Sequence, residues 1–411
     1  MGIYLFRSLR HRNFRLYYLG QLLSLNGTWM QSVAQSWLVY RLTGSGTMLG
    51  LVGAFTLAPS LLFGFYGGWL ADHFARRQLL IIAQVLAMLQ AMVLAGLTIL
   101  GLVQPWHILV LALLLGVVQA METPVRHSFI SQLVPRADLA NAIALNSSMF
   151  HLARFFGPAI AGILVAWVGE GPVFLLNAMS FIAVLISLFY VRLPAPSSQA
   201  DAAGAGMGIW SGLHFVRNHA LVRNLLILVA SVSLLGSSMV VLMPVFVVRI
   251  YGQGAEMLGL LMGMLGAGSL TGALLLANRR DYRLLERRIA LAGVLVAVGL
   301  ILFAVNHWHN VALLLLFIIG FAATTVFSSS NALIQLSAPD RIRGRVMALF
   351  SIALQGMISI GQLVMGRSAD LLGVSSVVAG AGSALLVLTL VLAVGLLRYA
   401  RIQQHTPSRE N

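Results

Sequence analysis

Long apolar runs, most of eighteen residues or more, return along this chain at 16–40, 47–70, 79–103, 106–125, 139–167 and 172–191, then at 224–248, 257–277, 288–306, 311–336, 346–371 and 375–398. A helix crossing a hydrocarbon core needs about 20 such residues. Inside lipid the backbone must satisfy its own polar groups, so each run reads as a helix. Twelve crossings use roughly 240 positions, and a chain of 411 residues then has room only for short connections. Charged residues make up 9% of the sequence, against roughly a quarter in soluble domains. The expected fold class is an all-α membrane protein of twelve transmembrane helices in two pseudo-symmetric six-helix bundles.

The bundles are legible as an internal repeat. A shift of 204 positions lays Gly116 on Gly320, Ile130 on Ile334, Pro135 on Pro339, Ser147 on Ser351, Gly157 on Gly361, Gly162 on Gly366 and Gly169 on Gly373. A second echo sets Met48-Leu49-Gly50 against Met257-Leu258-Gly259. Duplicated six-helix halves place a binding site near the bilayer midplane, between the halves. The expected organisation is a first bundle over 1–192, a cytoplasmic linker over 193–220 and a second bundle with a short tail over 221–411. Pro194, Pro196 and an Ala/Gly run mark the linker as flexible. Ile209, Trp210, Leu213 and Val216 then give it a short amphipathic helix suited to the membrane surface.

Every basic residue is Arg. With both termini on one side, only Arg41, Arg249 and Arg367 fall on the other and Arg154 lies within a span, while all the rest gather on the side of the termini. This asymmetry orients the chain with its termini cytoplasmic. The first apolar run follows four Arg and is too long for a cleavable leader. The cations punctuate membrane spans and form no soluble patch, so nucleic acid is not an expected partner. Without Cys or Lys the chain has neither a thiolate site nor a phosphate loop ending in Lys. No cofactor and no metal are expected.

Polar residues fall on helical faces. Gln21, Ser24, Thr28, Gln31 and Gln35 recur every three or four residues in the first span. Ser147, His151 and Arg154 follow the same rule in the fifth, Thr324, Ser328, Asn331 and Gln335 in the tenth, and Ser351, Gln355, Ser359 and Gln362 in the eleventh. Facing lipid these groups are costly, so they are expected to line a central wet cavity; hydrogen bonding between helices is the alternative. Trp29, Trp37, Phe55, Phe150, Met239 and Met243 are candidate apolar contacts for a bulky ligand. Arg154 falls about fifteen residues into its helix, near the midplane, where an unpaired cation costs at least a few kcal/mol. Its partner is either Glu122, toward the inner end of the fourth span, or an anionic group of a ligand. His151, one turn earlier, is either a proton shuttle or a hydrogen-bonding group.

Gly68-Trp69-Leu70-Ala71-Asp72-His73-Phe74-Ala75-Arg76-Arg77 resembles the loop signature between the second and third helices of the major facilitator superfamily, with His73 at a usual Arg and Ala75 at a usual Gly. Ala153-x-x-x-Gly157-Pro158-x-x-Ala161-Gly162 resembles the helix-five signature of its antiporters, with Ala replacing two Gly. Glu122-Thr123-Pro124-x-Arg126, Leu133-Val134-Pro135 and Ala140-Asn141-Ala142 are similar to the branch that holds the enterobactin exporter and related drug-efflux carriers. Ala112 stands where many proton antiporters carry an Arg in helix four.

The resemblance implies a secondary active exporter, monomeric, in a bacterial cytoplasmic membrane. It would exchange an amphipathic siderophore or drug for protons. It further implies a latch at Gly68, Asp72, Arg76 and Arg77, a gating kink at Gly157, Pro158 and Gly162, and proton coupling through Glu122, Arg154 and His151. An importer or facilitator of a small polar or anionic solute is the second reading. A multi-span enzyme is a remote third, since the loops are short and acid-poor.

Overall fold

Gly169 and Gly373, 204 positions apart, both end a long helix with φ of 81° and 84°. A side chain there would be strained, whereas Gly turns the chain at little cost and starts the next crossing. The computed structural model describes residues 6–191, 210–277 and 285–405, and every long element among them is helical. The first bundle holds α1 (Arg12–Thr43), α2 (Gly46–His73), α3 (Arg76–Ile99), α4 (Pro105–Leu133), α5 (Leu139–Val168) and α6 (Glu170–Tyr190). A short helix, Trp210–Asn218, leads to α7 (Ala220–Ile250), α8 (Ala255–Ala277), α9 (Leu285–Val305), α10 (His309–Ser337), α11 (Asp340–Leu372) and α12 (Val374–His405). Among the described residues eleven helices are long and apolar enough to cross a membrane. The twelfth, α1, has the length, at 32 residues, but its amides and hydroxyls lower its hydropathy.

Packing repeats between the halves. In the first, α2 lies on α4 and α3 on α6; in the second, α8 lies on α10 and α9 on α12. The repeated glycines make these contacts. A β-carbon at Gly116 would stand 2.7 Å from the carbonyls of Phe55 and Thr56 on α2, and one at Gly320 would collide with the Leu265 carbonyl on α8. With no hydrophobic drive between helices in lipid, such backbone approaches supply the packing. Large apolar side chains stay exposed on the outer faces, among them Leu86 and Val93 on α3, Leu291 and Leu302 on α9, and Val387 and Val391 on α12. So much exposed apolar surface suits contact with acyl chains.

Two helices depart from α geometry near their middles. In α7 a π segment over Val232–Gly236 runs into a 3-10 segment over Ser237–Leu242, just before Pro244. Pro244 has no N–H to offer the Val240 carbonyl and disfavours α geometry in the residue before it, so the ladder shifts register there. In α11 a π turn spans Ile352–Gly356. Most of the predicted linker lies outside the described residues. The short helix Trp210–Asn218 packs on the start of α11, where the Arg345 guanidinium donates to Ser211 Oγ at 2.8 Å.

Candidate functional site

The two bundles meet along two seams, α2 with α11 and α5 with α8. Glycine lets both seams close. A β-carbon at Gly259 would stand 2.6 Å from the Pro158 carbonyl and 2.7 Å from Gly162 Cα; Gly50 and Gly366 meet in the same way across the other seam. The close glycine approaches between bundles, from Gly46 to Leu61–Gly356 on one side and from Gly162 to Gly266 on the other, run from the ends of the helices away from the Arg-rich loops to about their middles. The Arg-poor end is therefore shut by backbone contact.

Hydrogen bonds clasp the same end. The Asp370 carboxylate, near the end of α11, accepts from Gly46 N at 2.7 Å, Thr47 N at 2.8 Å, Ser45 Oγ at 2.7 Å and Thr47 Oγ1 at 2.6 Å. It thus caps the amino end of α2, where free N–H groups and the helix dipole favour an anion. Arg249, within a second π segment of α7 at Phe246–Ile250, donates to the Gly44 carbonyl at 3.1 Å. The sequence reading missed this clasp.

At the centre, Arg154 lines a pocket with Ser237, Met239, Leu265, Thr324 and Phe327. Its guanidinium lies 5.6 Å from the Trp29 ring centroid on α1. Four residues later Pro158 lacks the N–H that would bond the Arg154 carbonyl, and Gly266 of α8 packs against that carbonyl. The irregular stretch of α7 forms one wall through Gly236, Ser237, Met239 and Val240. The structure thus gathers Arg154, Thr324, Trp29 and Met239 around the seam.

Other candidates lie elsewhere. Glu122 does not meet Arg154: it accepts from Gln84 Nε2 at 3.1 Å and pairs with Arg126 at 3.6 Å, one turn along α4. His151 faces no hydrogen-bond partner among the described residues at its buried Nδ1. The α1 stripe is not one wet face. Gln21, Ser24, Gln31 and Gln35 are buried, and Thr28 bonds back to the Ser24 carbonyl. Gln31 instead bridges the first bundle, donating to Gln90 Oε1 at 3.0 Å and accepting from Asn177 Nδ2 at 2.7 Å. Ser359 is buried in the seam and donates to the Ala54 carbonyl at 3.3 Å. Helices approach closely enough at these points for amides to satisfy one another, the alternative that sequence left open. Ser147, Gln335, Ser351 and Gln355 are exposed and Ser328 and Asn331 half-buried, on the Arg-rich halves of α5, α10 and α11 or close to their middles; Gln335 donates to Asn331 at 2.5 Å.

Arg76 donates to the Ser128 carbonyl and Arg77 to that of Phe189, which ties α3 to α4 and α6. Gly68 and Asp72 fall within α2, and the predicted latch contacts of Asp72 lie outside what is described. Gly157 packs on α1, where a β-carbon would stand 2.6 Å from Trp29 Cβ. Replacing Gln31 by Leu should strand the Gln90 carbonyl and the Asn177 amide and lower stability by about 1–2 kcal/mol. Thermal unfolding in detergent measures this; an unchanged midpoint means that the bridge contributes nothing.

The model of a family described as transmembrane secretion effector matches residues 5–410. The staphyloferrin A transporter of Staphylococcus aureus is 26% identical over 356 residues, covering 85% of this chain and 87% of that protein. The multidrug efflux pump Tap of Mycolicibacterium fortuitum is 25% identical over 359 residues, covering 84% and 87%. Among solved structures, a peptide transporter of the POT type superposes with a TM-score of 0.75 at 13% identity over 94% of this chain and 95% of that one. A bacterial homologue of the lysosomal transporter Spinster, in an inward-facing and unoccupied conformation, gives 0.69 at 16% identity over 98% of both. At such identities the structures carry the fold alone.

Proposed function

Because this chain belongs to the transmembrane secretion effector family of major facilitator transporters, we propose that it exports an amphipathic small molecule, a siderophore or a drug, in exchange for protons. The two bundles rock about the central pocket and expose it to each side in turn. The one-sided closure of the seams supports access from one side at a time, and the direction of transport rests on the relatives. Arg-rich segments stay on the cytoplasmic face, so the shut, Asp370-clasped end faces outward and the exposed Ser147, Gln335, Ser351 and Gln355 flank an inward mouth. An exporter loads from that side. The names of the relatives, a siderophore transporter and a multidrug pump, support the cargo class.

Glu122 is the proposed proton carrier. It is a carboxylate held within a span by Gln84 and Arg126, so its protonation releases Arg126. In proteoliposomes with an imposed pH gradient, dye efflux should follow the gradient and fall at least tenfold in Glu122→Gln. Gradient-independent flux in the unaltered protein excludes antiport, and full gradient-driven flux in Glu122→Gln removes Glu122 from the coupling.

A further inference from the structure

We infer that Arg154 is the anchor for a carboxylate on the cargo, so that the chain selects amphipathic organic anions over neutral analogues of the same shape. This rests on the proposed function for its premise that cargo enters the central pocket.

Arg154 carries no ion pair and no side-chain hydrogen bond among the described residues, and its one described polar contact is the face of Trp29. An aromatic face attracts a cation but supplies no counter-charge. The described carboxylates are engaged elsewhere: Glu122 with Arg126, Asp138 with Arg7 and His11, Glu170 with Arg41, Asp340 with Arg343, and Asp370 at the start of α2. Glu256 and Glu286 stand in the first turns of α8 and α9, at helix ends. A cation held this deep with no anion nearby is costly unless something else neutralises it. His151, the titratable group nearest along α5, can only add positive charge.

In this conformation the cavity beside the guanidinium is about 40 Å³, room for a carboxylate head, while the body of a ligand needs the wider space that opens as the bundles move. Arg154 is largely buried but lines the pocket, so its donors are reached from there. The opposite walls are apolar, through Met239, Val240, Leu265, Ile319 and Phe327, with the hydroxyls of Ser237 and Thr324 between. The non-α stretch of α7 forms one of these walls, and such departures cluster at functional sites. The planar guanidinium fork matches a carboxylate through two parallel hydrogen bonds, which a carboxamide cannot accept equally. The fitting ligand has a carboxylate at one end and an apolar or aromatic body at the other.

The test uses the purified full chain in a neutral maltoside detergent, titrated with dansyl-norleucine and with its carboxamide, read by dansyl fluorescence. The carboxylate should bind at least tenfold more tightly. Arg154→Gln should bring the two within twofold. Arg154→Lys, which keeps the charge but loses the fork, should retain a preference of intermediate size and covers the case in which Arg154→Gln does not fold. Equal affinity for the two probes in the unaltered protein, no saturable binding of the carboxylate, or a tenfold preference surviving in either variant overturns the inference. Phosphatidylglycerol in tenfold excess should leave the titration unmoved; displacement by it would make the occupant a lipid headgroup and overturn the assignment to cargo. Gradient-driven efflux of an uncharged dye separates the two readings. Efflux without the anion preference refutes only this inference, and the preference without efflux refutes only the exporter.

Discussion

Replacing Asp370 by Ala should move the protein toward the state open at its Arg-poor end by roughly 30-fold. All four hydrogen bonds of that carboxylate run from α11 to the start of α2, so they exist only while this seam is shut. Charge-assisted hydrogen bonds contribute about 1.5–3 kcal/mol each where buried. Asp370 is exposed, so water recovers most of that, and about 2 kcal/mol for the set is a discounted figure. Each 1.4 kcal/mol is about tenfold in an equilibrium. The chain has no native Cys, which allows clean double labelling at Leu42 and Leu372, one on each bundle and both exposed. The spin-label distance distribution should lengthen in Asp370→Ala and much less in Asp370→Glu. An unchanged distribution means that the clasp carries no weight.

Two glycine-to-valine changes should have opposite signatures. Gly268 of α8 packs on the Phe317 carbonyl of α10, within one bundle, and a β-carbon there collides with backbone. No rocking relieves that overlap, so Gly268→Val should cost about 3 kcal/mol or more of stability. Gly366 of α11 packs on the Gly46 carbonyl of α2, between bundles. Opening that end relieves it, so Gly366→Val should leave the unfolding midpoint nearly unmoved and lengthen the same label distance as Asp370→Ala. Thermal unfolding and the distance measurement, made on both variants, decide. Equal losses of stability would mean that the seam is permanent and that the bundles do not part there.

Why some of this was legible in the sequence and some was not follows from distance along the chain. Helix positions need only local information, and the apolar runs located all twelve helices, though the runs end short of the polar continuation of α4 and α12 and begin late on α11. The repeat was legible because Gly162 and Gly366, or Gly50 and Gly259, serve the same purpose in each half, a β-carbon-free approach between helices. The clasp was not: Asp370 is 324 positions from Gly46, and one acidic residue near a helix end carries no periodic signal. The α1 amides misled for a related reason. A polar stripe says that a face avoids lipid, yet Gln31 finds Gln90 and Asn177 where a cavity was expected. Glu122 was read against Arg154 on an adjacent helix, but Arg126 stands one turn away on its own and the local pair forms. In α7 the signal was present in Pro244 and the serines before it, and went unread because mean hydropathy treats a distorted helix like a regular one.

The duplicated architecture is unequal where its two edges join. Counting back 204 places from Asp370 reaches Ala166, and Gly254-Ala255-Glu256 stands where Ser45-Gly46-Thr47 does in the other half. One edge thus adds to its glycine contacts exchangeable polar bonds that water can replace as they break, whereas the other, among the described residues, is held by glycine contact that water cannot mend. Separation should begin at the fastened lip and leave the bare edge as the fulcrum, so that a machine assembled from twin parts turns about one side.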